Sequence, residues 1–435
     1  MLKQFFFSAL GCGALLTGLA MMDTAVARAA AVKSLDTTSE PAGVLSPANQ
    51  KKLWNAYKIA KECFEHPNYD PGTPQQVPSH PASYFQSTPW KSPFPTSIGS
   101  PGCATSPPRP LATPDVVSTV KLDEHYGERQ DSVDGAEVWF RTMDTYFRFT
   151  RDPVAKQLLH DAVLQWAKGN GLAKGIHVSW GHKPVDYQMM TAIMSILVAT
   201  ADVSDTFSPA ERAVIGPWLN GLVAQSAASY WKDREDDKAF MKTDIALLWG
   251  IMIGDNKPIQ DAITNYKLAI HDMRPDGSWP IDSQRGGMGL GYDILSTAQL
   301  IMIATLLKNA EGVDLFDYAV DGRSLHNAVD WVVAGIKAPG KTNSVYAIPC
   351  SAGGDRWGSI DKPNTYEFGT GGGALMLYAS YFPDRDSSKF ITSNYSSPIG
   401  HDLETVGGNM ACQFATTNGK LPSLIQPLVM PTTSN

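Results

Sequence analysis

Residues 274–307, RPDGSWPIDSQRGGMGLGYDILSTAQLIMIATLL, decide how the rest of the chain is read. The stretch opens with a turn at Pro275-Asp276-Gly277 and continues as an irregular segment carrying Trp279, Asp282 and Arg285. Glycines 286, 287 and 289 loosen the start of a helix on which Tyr292 is the first bulky polar group. From Ile294 onward apolar residues recur at helical spacing, so the segment is a core helix with an open N-terminal mouth. Arg285 and Tyr292 lie seven residues apart, roughly two helical turns, and so are expected to face one cleft. An arginine grips a carboxylate through two hydrogen bonds, and a tyrosine beside a cation can donate or accept a proton.

The other apolar segments share this period. Helices are expected from about residue 132 to 149, over 153–168, over 187–200 and from Ser208 to about Trp231. Others follow at about 237–253, 257–273, 288–309, 322–337 and 370–382. Ser208-Pro209-Ala210-Glu211 is a capping box with proline in the first turn. Strands of period two are not evident before residue 340, and residues 175–182, with His177, Trp180 and His182, read as a loop. Successive helical hairpins with short connections predict an all-α chain closed as an incomplete (α/α) toroid, inner helices lining a cleft and outer ones covering them.

The ends differ from this body. Lys3, the apolar run 5–22 and Ala27-Arg28-Ala29 read as a cleaved export signal covering residues 1–29, which places the mature protein in the periplasm or outside the cell. No second membrane-spanning run is expected. Residues 30–116 form an N-terminal helix and an extended segment; 67–114 hold 13 of the 30 prolines, a density that argues against helix there. Its aromatics Tyr84, Phe85, Trp90 and Phe94 suggest an ordered wrap pinned to the body. Residues 117–435 are the toroid domain. After signal removal four cysteines remain, and the pairing Cys63–Cys103 with Cys350–Cys412 is preferred, as each would staple a loop-rich end. A net charge of −7 with no basic run argues against nucleic acid as a partner. A monomer is expected, with no membrane contact once the signal is gone.

Candidate chemistry gathers in WKDREDDKAFMKTDIALLWGIMIGD (231–255). Arg234, Lys238 and Lys242 fall on one helical stripe. Lys242 and Asp244 interrupt an apolar helix, where charges must be paired or line a cavity. The histidines show no metal-ligand spacing, and neither a metal nor a cofactor is expected. Asp276 reads as a turn residue. Asp282 and Glu367 would be the carboxylates of a rival glycoside hydrolase.

Four stretches carry a resemblance: YFRFTRD (146–152), DGSWP (276–280), Arg285 with Tyr292, and GVDL (312–315). The run from Asp134 to Leu315 resembles the bacterial periplasmic alginate lyases of polysaccharide lyase family five and their relatives. That resemblance implies an incomplete (α/α) toroid that cleaves acidic polysaccharide by β-elimination without a metal. The family's catalytic set is an Asn-His pair, an Arg and a Tyr. Arg285 and Tyr292 look like the last two, while the Asn-His position falls on Asp237-Lys238 and a family lysine falls near Arg129. The expected catalytic residues are therefore Lys238, Arg285 and Tyr292, and the expected substrate contacts Asp237, Arg234, Trp180, His182, Trp279 and Arg129. The substrate class widens from alginate to uronate-containing polysaccharide, including glucuronate-containing exopolysaccharide. A non-catalytic polysaccharide-binding or export-accessory protein is the remaining alternative.

Overall fold

The computed structural model describes residues 75–95, 113–117, 120–122, 131–178, 181–183, 187–228, 237–284, 289–338, 371–394 and 404–414. The expected export signal, the helix before Cys63, and Arg129, Trp180, Arg234, Arg285 and Glu367 lie outside these residues.

The hairpins alternate between two layers. The inner layer comprises α2 (Asp131–Thr150), α4 (Tyr187–Asp202), α6 (Asp237–Ile253), α8 (Gly289–Glu311) and α10 (Gly372–Tyr381); the outer layer comprises α3 (Pro153–Lys168), α5 (Pro209–Ala227), α7 (Asn256–Asp272), α9 (Leu325–Lys337) and α11 (Asp386–Asn394). Each inner helix packs on its inner neighbours and on an outer helix next to it in sequence. This is the (α/α) toroid-type arrangement expected from element order. The division follows composition: α4, α6 and α8 are buried almost all round, whereas α7 and α9 show one apolar stripe and a polar face. Helix α8 is long and apolar enough to cross a membrane, but 94% of its apolar window is buried inside the protein, as a core helix requires.

The starts of the outer helices are fixed by local chemistry. Asp152 accepts from the Val154 amide ahead of α3, and Ser208 and Glu211 form the expected capping box at α5. Inner helices run parallel to one another. Ser195 in the middle of α4 donates to Glu137 in the first half of α2, and Arg148 bonds Asp202 near their ends. Arg148 also pairs with Asp144 at 3.0 Å, donates to the Gln413 carbonyl at 2.9 Å and covers the Phe94 ring, tying α2, α4, the wrap and the C-terminal segment together.

Two expectations are corrected here. The proline-rich segment contains a helix, α1 (Ala82–Ser87), because Pro81 stands just ahead of six proline-free residues. The segment read as a loop forms strands β2 (Ile176–Val178) and β3 (Gly181–Lys183), paired antiparallel with His177 opposite His182; β1 (Val120–Leu122) runs parallel to β2. Three-residue strands are too short to show a period of two. A further short pair, β4 (Ala319–Val320) and β5 (Arg323–Ser324), precedes α9.

The wrap is pinned as expected over its described part: Phe85, Trp90 and Phe94 are buried, and Asn220 accepts from the Trp249 indole while donating to the Pro78 carbonyl. Gly216 makes this possible, since a Cβ there would stand 2.2 Å from the Phe85 ring. In the C-terminal part, α12 (Met410–Gln413) carries Cys412, which is disulfide-bonded to a partner outside the described residues.

Candidate active site

Outer helices end where inner helices begin, so the N-termini of α4, α6 and α8 share one end of the toroid. Four side chains meet there. The Lys238 ammonium lies 5.7 Å from the ring centre of Tyr187 and 5.4 Å from that of Tyr292, within cation–π range of both. It donates to Asp237 Oδ1 at 2.9 Å, with Asp237 fully buried and Lys238 9% exposed. A carboxylate in the first turn of a helix is favoured by the helix dipole, so Asp237 is stabilised from two directions. Both tyrosines are half-buried. The arrangement is one cation held between two phenols at the mouth of a cleft, suited to neutralising an anion and moving a proton beside it.

Of the residues singled out in the sequence, the structure brings Asp237, Lys238 and Tyr292 together. Tyr187 was missed. The available signal was positional, as it is the first residue of an inner helix much as Tyr292 lies in the first turn of another. His182 lies on β3, just before α4, by its backbone.

Trp279 is corrected from substrate contact to core. It is fully buried, its indole donates to Thr297 at 3.1 Å, and its ring packs edge-on to Phe240. Two carboxylates of the same stretch are likewise structural. Asp282 is fully buried and accepts from Ser296, which removes it from the cleft and weakens the hydrolase alternative. Asp293 accepts from the Trp331 indole at 2.7 Å and the Trp279 amide at 3.3 Å; burial pushes its carboxyl up to about 8 against those two hydrogen bonds. Asp276 caps its own turn by accepting from Ser278, as read. Gly277 has a φ of +93°, and a Cβ there would stand 2.1 Å from the Asn327 carbonyl oxygen, so the turn requires glycine.

Asp244 behaves differently from every other charged group nearby. It is fully buried one heptad below Asp237, both carboxylate oxygens lack a hydrogen-bond partner, and burial raises its pKa well above the ordinary range. On α8, Gln299 stands one heptad below Tyr292, also fully buried with both amide atoms unpartnered. A polar floor thus lies two turns beneath the mouth.

Comparison with known proteins agrees with this architecture. Residues 127–342 match the alginate lyase family. A polysaccharide lyase of Stenotrophomonas maltophilia (strain K279a) is 27% identical over 202 residues, which are 46% of this chain and 59% of that protein. The chain thus spans about three fifths of that relative. Among solved structures, alginate lyase A1-III complexed with a tetrasaccharide superposes with a TM-score of 0.58 at 18% identity, covering 77% of this chain and 98% of that one. Alginate lyase A1-III from Sphingomonas species A1 gives a TM-score of 0.54 at 18% identity, covering 84% and 94%. At such identity these two structures establish the fold. The matched region adds a likeness to the alginate lyase family over just under half of the chain.

Proposed function

We propose that this protein is a polysaccharide lyase that cleaves a uronate-containing acidic polysaccharide, alginate-like or glucuronate-containing, by β-elimination outside the cytoplasm. The observation that carries this reading is the Lys238 ammonium held between the Tyr187 and Tyr292 rings. The matched family and the polysaccharide lyase relative support it, and the N-terminal apolar run supports export.

In this reading Lys238, with Arg285, neutralises the carboxylate of the uronate whose C5 hydrogen is removed. Neutralisation makes that hydrogen acidic, because the enolate-like charge develops against fixed cations. Tyr292 takes the C5 proton. The electron pair left behind forms the C4–C5 double bond, the C4–O4 bond breaks, and O4 takes up a proton from Tyr292 on the same face. Two shorter chains result, one ending in a 4,5-unsaturated uronate. Asp237 holds the Lys238 ammonium in place; it does not repel the substrate, because its charge is matched by that lysine.

The test is ultraviolet absorbance during incubation with alginate, polyglucuronate and acidic bacterial exopolysaccharides. A rise from the conjugated product is expected with at least one of them. New reducing ends without absorbance would replace the lyase by a hydrolase, and binding without either product would make the protein a non-catalytic receptor.

A further inference from the structure

A second cavity lies outside the cleft, on the outer wall between the end of α3 and the face of α5. It measures about 520 Å³, within the range of small-molecule sites. Its wall is a stripe of α5 at helical spacing, Val214, Pro217, Gly221 and Gln225, with Trp218 and Leu222 beside it. Gly221 leaves this wall open, since a Cβ there would meet nothing within 4 Å. Pro217 lies inside α5 and lacks an amide hydrogen, so the helical ladder is already interrupted at the pocket. Val214, at the rim, is one of the few exposed large apolar residues among those described, 41% exposed.

The opposite wall carries the polar groups, Lys168 and Asn170, both exposed at the end of α3. No carboxylate lines the cavity among the described residues. Its shape is preformed. The Trp218 indole donates to the Gly171 carbonyl at 2.7 Å and Gln225 Nε2 to the Ala173 carbonyl at 3.1 Å, which pins the turn after α3 against α5. That turn is also held from behind, where the Leu172 amide donates to the Val117 carbonyl at 2.7 Å and the Trp166 indole to the Pro114 carbonyl at 3.2 Å. Gln225 Oε1 is left to accept from a ligand hydroxyl.

We propose that this cavity is a second saccharide-binding site, which takes a uronate unit of the same polymer away from the point of cleavage. A sugar ring offers one apolar C–H face and a rim of hydroxyls, matching the exposed Pro217 with Trp218 beside it, edged by two side-chain amides. The uronate carboxylate adds the one charge that Lys168 complements. The site opens at the end of the toroid where outer helices finish and inner helices begin, and the chain leaving it runs through β2 and β3 to Tyr187 at the mouth. A polymer that engages both places has a raised effective concentration at the cleft. The proposal rests on the reading of an acidic polysaccharide as substrate.

Two variants test it in the full chain. Lys168→Glu reverses the one charge among the described lining residues, and Gly221→Trp fills the open wall without touching the cleft. Retention in gels containing alginate or polyglucuronate is measured alongside turnover of whichever polymer is cleaved and of short oligosaccharides cut from it. Both variants are expected to bind polymer several-fold more weakly and to raise KM for polymer several-fold, with kcat and all constants for short oligosaccharides unchanged. Wild-type turnover with polymer binding and KM unaltered in both variants overturns the second site and leaves the lyase standing. Weaker retention in both variants of a protein that yields no unsaturated product keeps the second site and overturns the lyase. No retention of the parent on either polymer overturns the second site.

Discussion

Helix α6 carries two buried acids one heptad apart, and they differ in everything except burial. Asp237, at the mouth, receives the Lys238 ammonium at 2.9 Å and the helix dipole. Asp244, two turns down, receives nothing. A charge that serves chemistry is kept charged by partners, whereas a carboxyl without partners gives up its charge and remains as a neutral acid. Tyr292 and Gln299 repeat the contrast on α8, one in contact with a cation and the other unpartnered. The mouth is therefore built for polar work, while the floor beneath it tolerates polar groups at a cost to stability.

The comparison breaks first at the mouth. Replacing Tyr292 with Phe removes the proton carrier but keeps the ring beside Lys238, so turnover should fall by about 10²–10⁴-fold with an unchanged melting temperature. Initial rates by absorbance, read beside a thermal melt, decide it; near-wild-type rates would transfer the proton chemistry to another group, such as Tyr187, the other phenol beside Lys238. Lys238→Met should also abolish turnover, but in addition it strips Asp237 of a charged donor. A stability loss of about 1.5–3 kcal/mol is expected by denaturant unfolding, the range for a hydrogen bond to a charged group. Adding Asp237→Asn should recover part of that stability and none of the activity. If the double variant were no more stable than Lys238→Met alone, the pair would not be what holds the mouth together.

How much of this was legible in the sequence depended on length and on caps. Helix α3 was readable to the residue, because Asp152-Pro153 starts it and a left-handed Asn170 follows its end. Helix α6 was readable because an apolar run follows a dense charge cluster. The strands at 176–178 and 181–183 were not, because each is only three residues long and the first also pairs with residues 120–122 across more than fifty residues. Trp279 marks a different limit. A tryptophan after a polar turn looks the same whether it faces a cleft or a core, and only the placing of Phe240 and Thr297 against it settles the matter. Lys238 was picked out by alignment with a family motif and by its place on a charged stripe, yet Tyr187, its second aromatic neighbour, stood unremarked at the head of an apolar helix.

The floor offers the subtler test, through pH. Burial raises the Asp244 pKa in the folded protein, while in the unfolded chain it titrates near the ordinary aspartate value of about 3.9. Between those two values the folded state binds a proton that the unfolded state has lost, so this group's contribution to stability falls as pH rises. Asp244→Leu preserves the branched shape, removes the titration and suits the apolar helix around it. At neutral pH the variant should be the more stable protein, and its advantage should shrink by about 1.4 kcal/mol for each pH unit lowered toward 4. What remains at the acid end is the penalty for an unpartnered neutral carboxyl, about 1–3 kcal/mol. Urea titrations of both proteins from pH 8 to pH 4 supply the comparison. A constant difference would mean that Asp244 keeps its charge when folded, and with it the distinction between a partnered mouth and an unpartnered floor would fail.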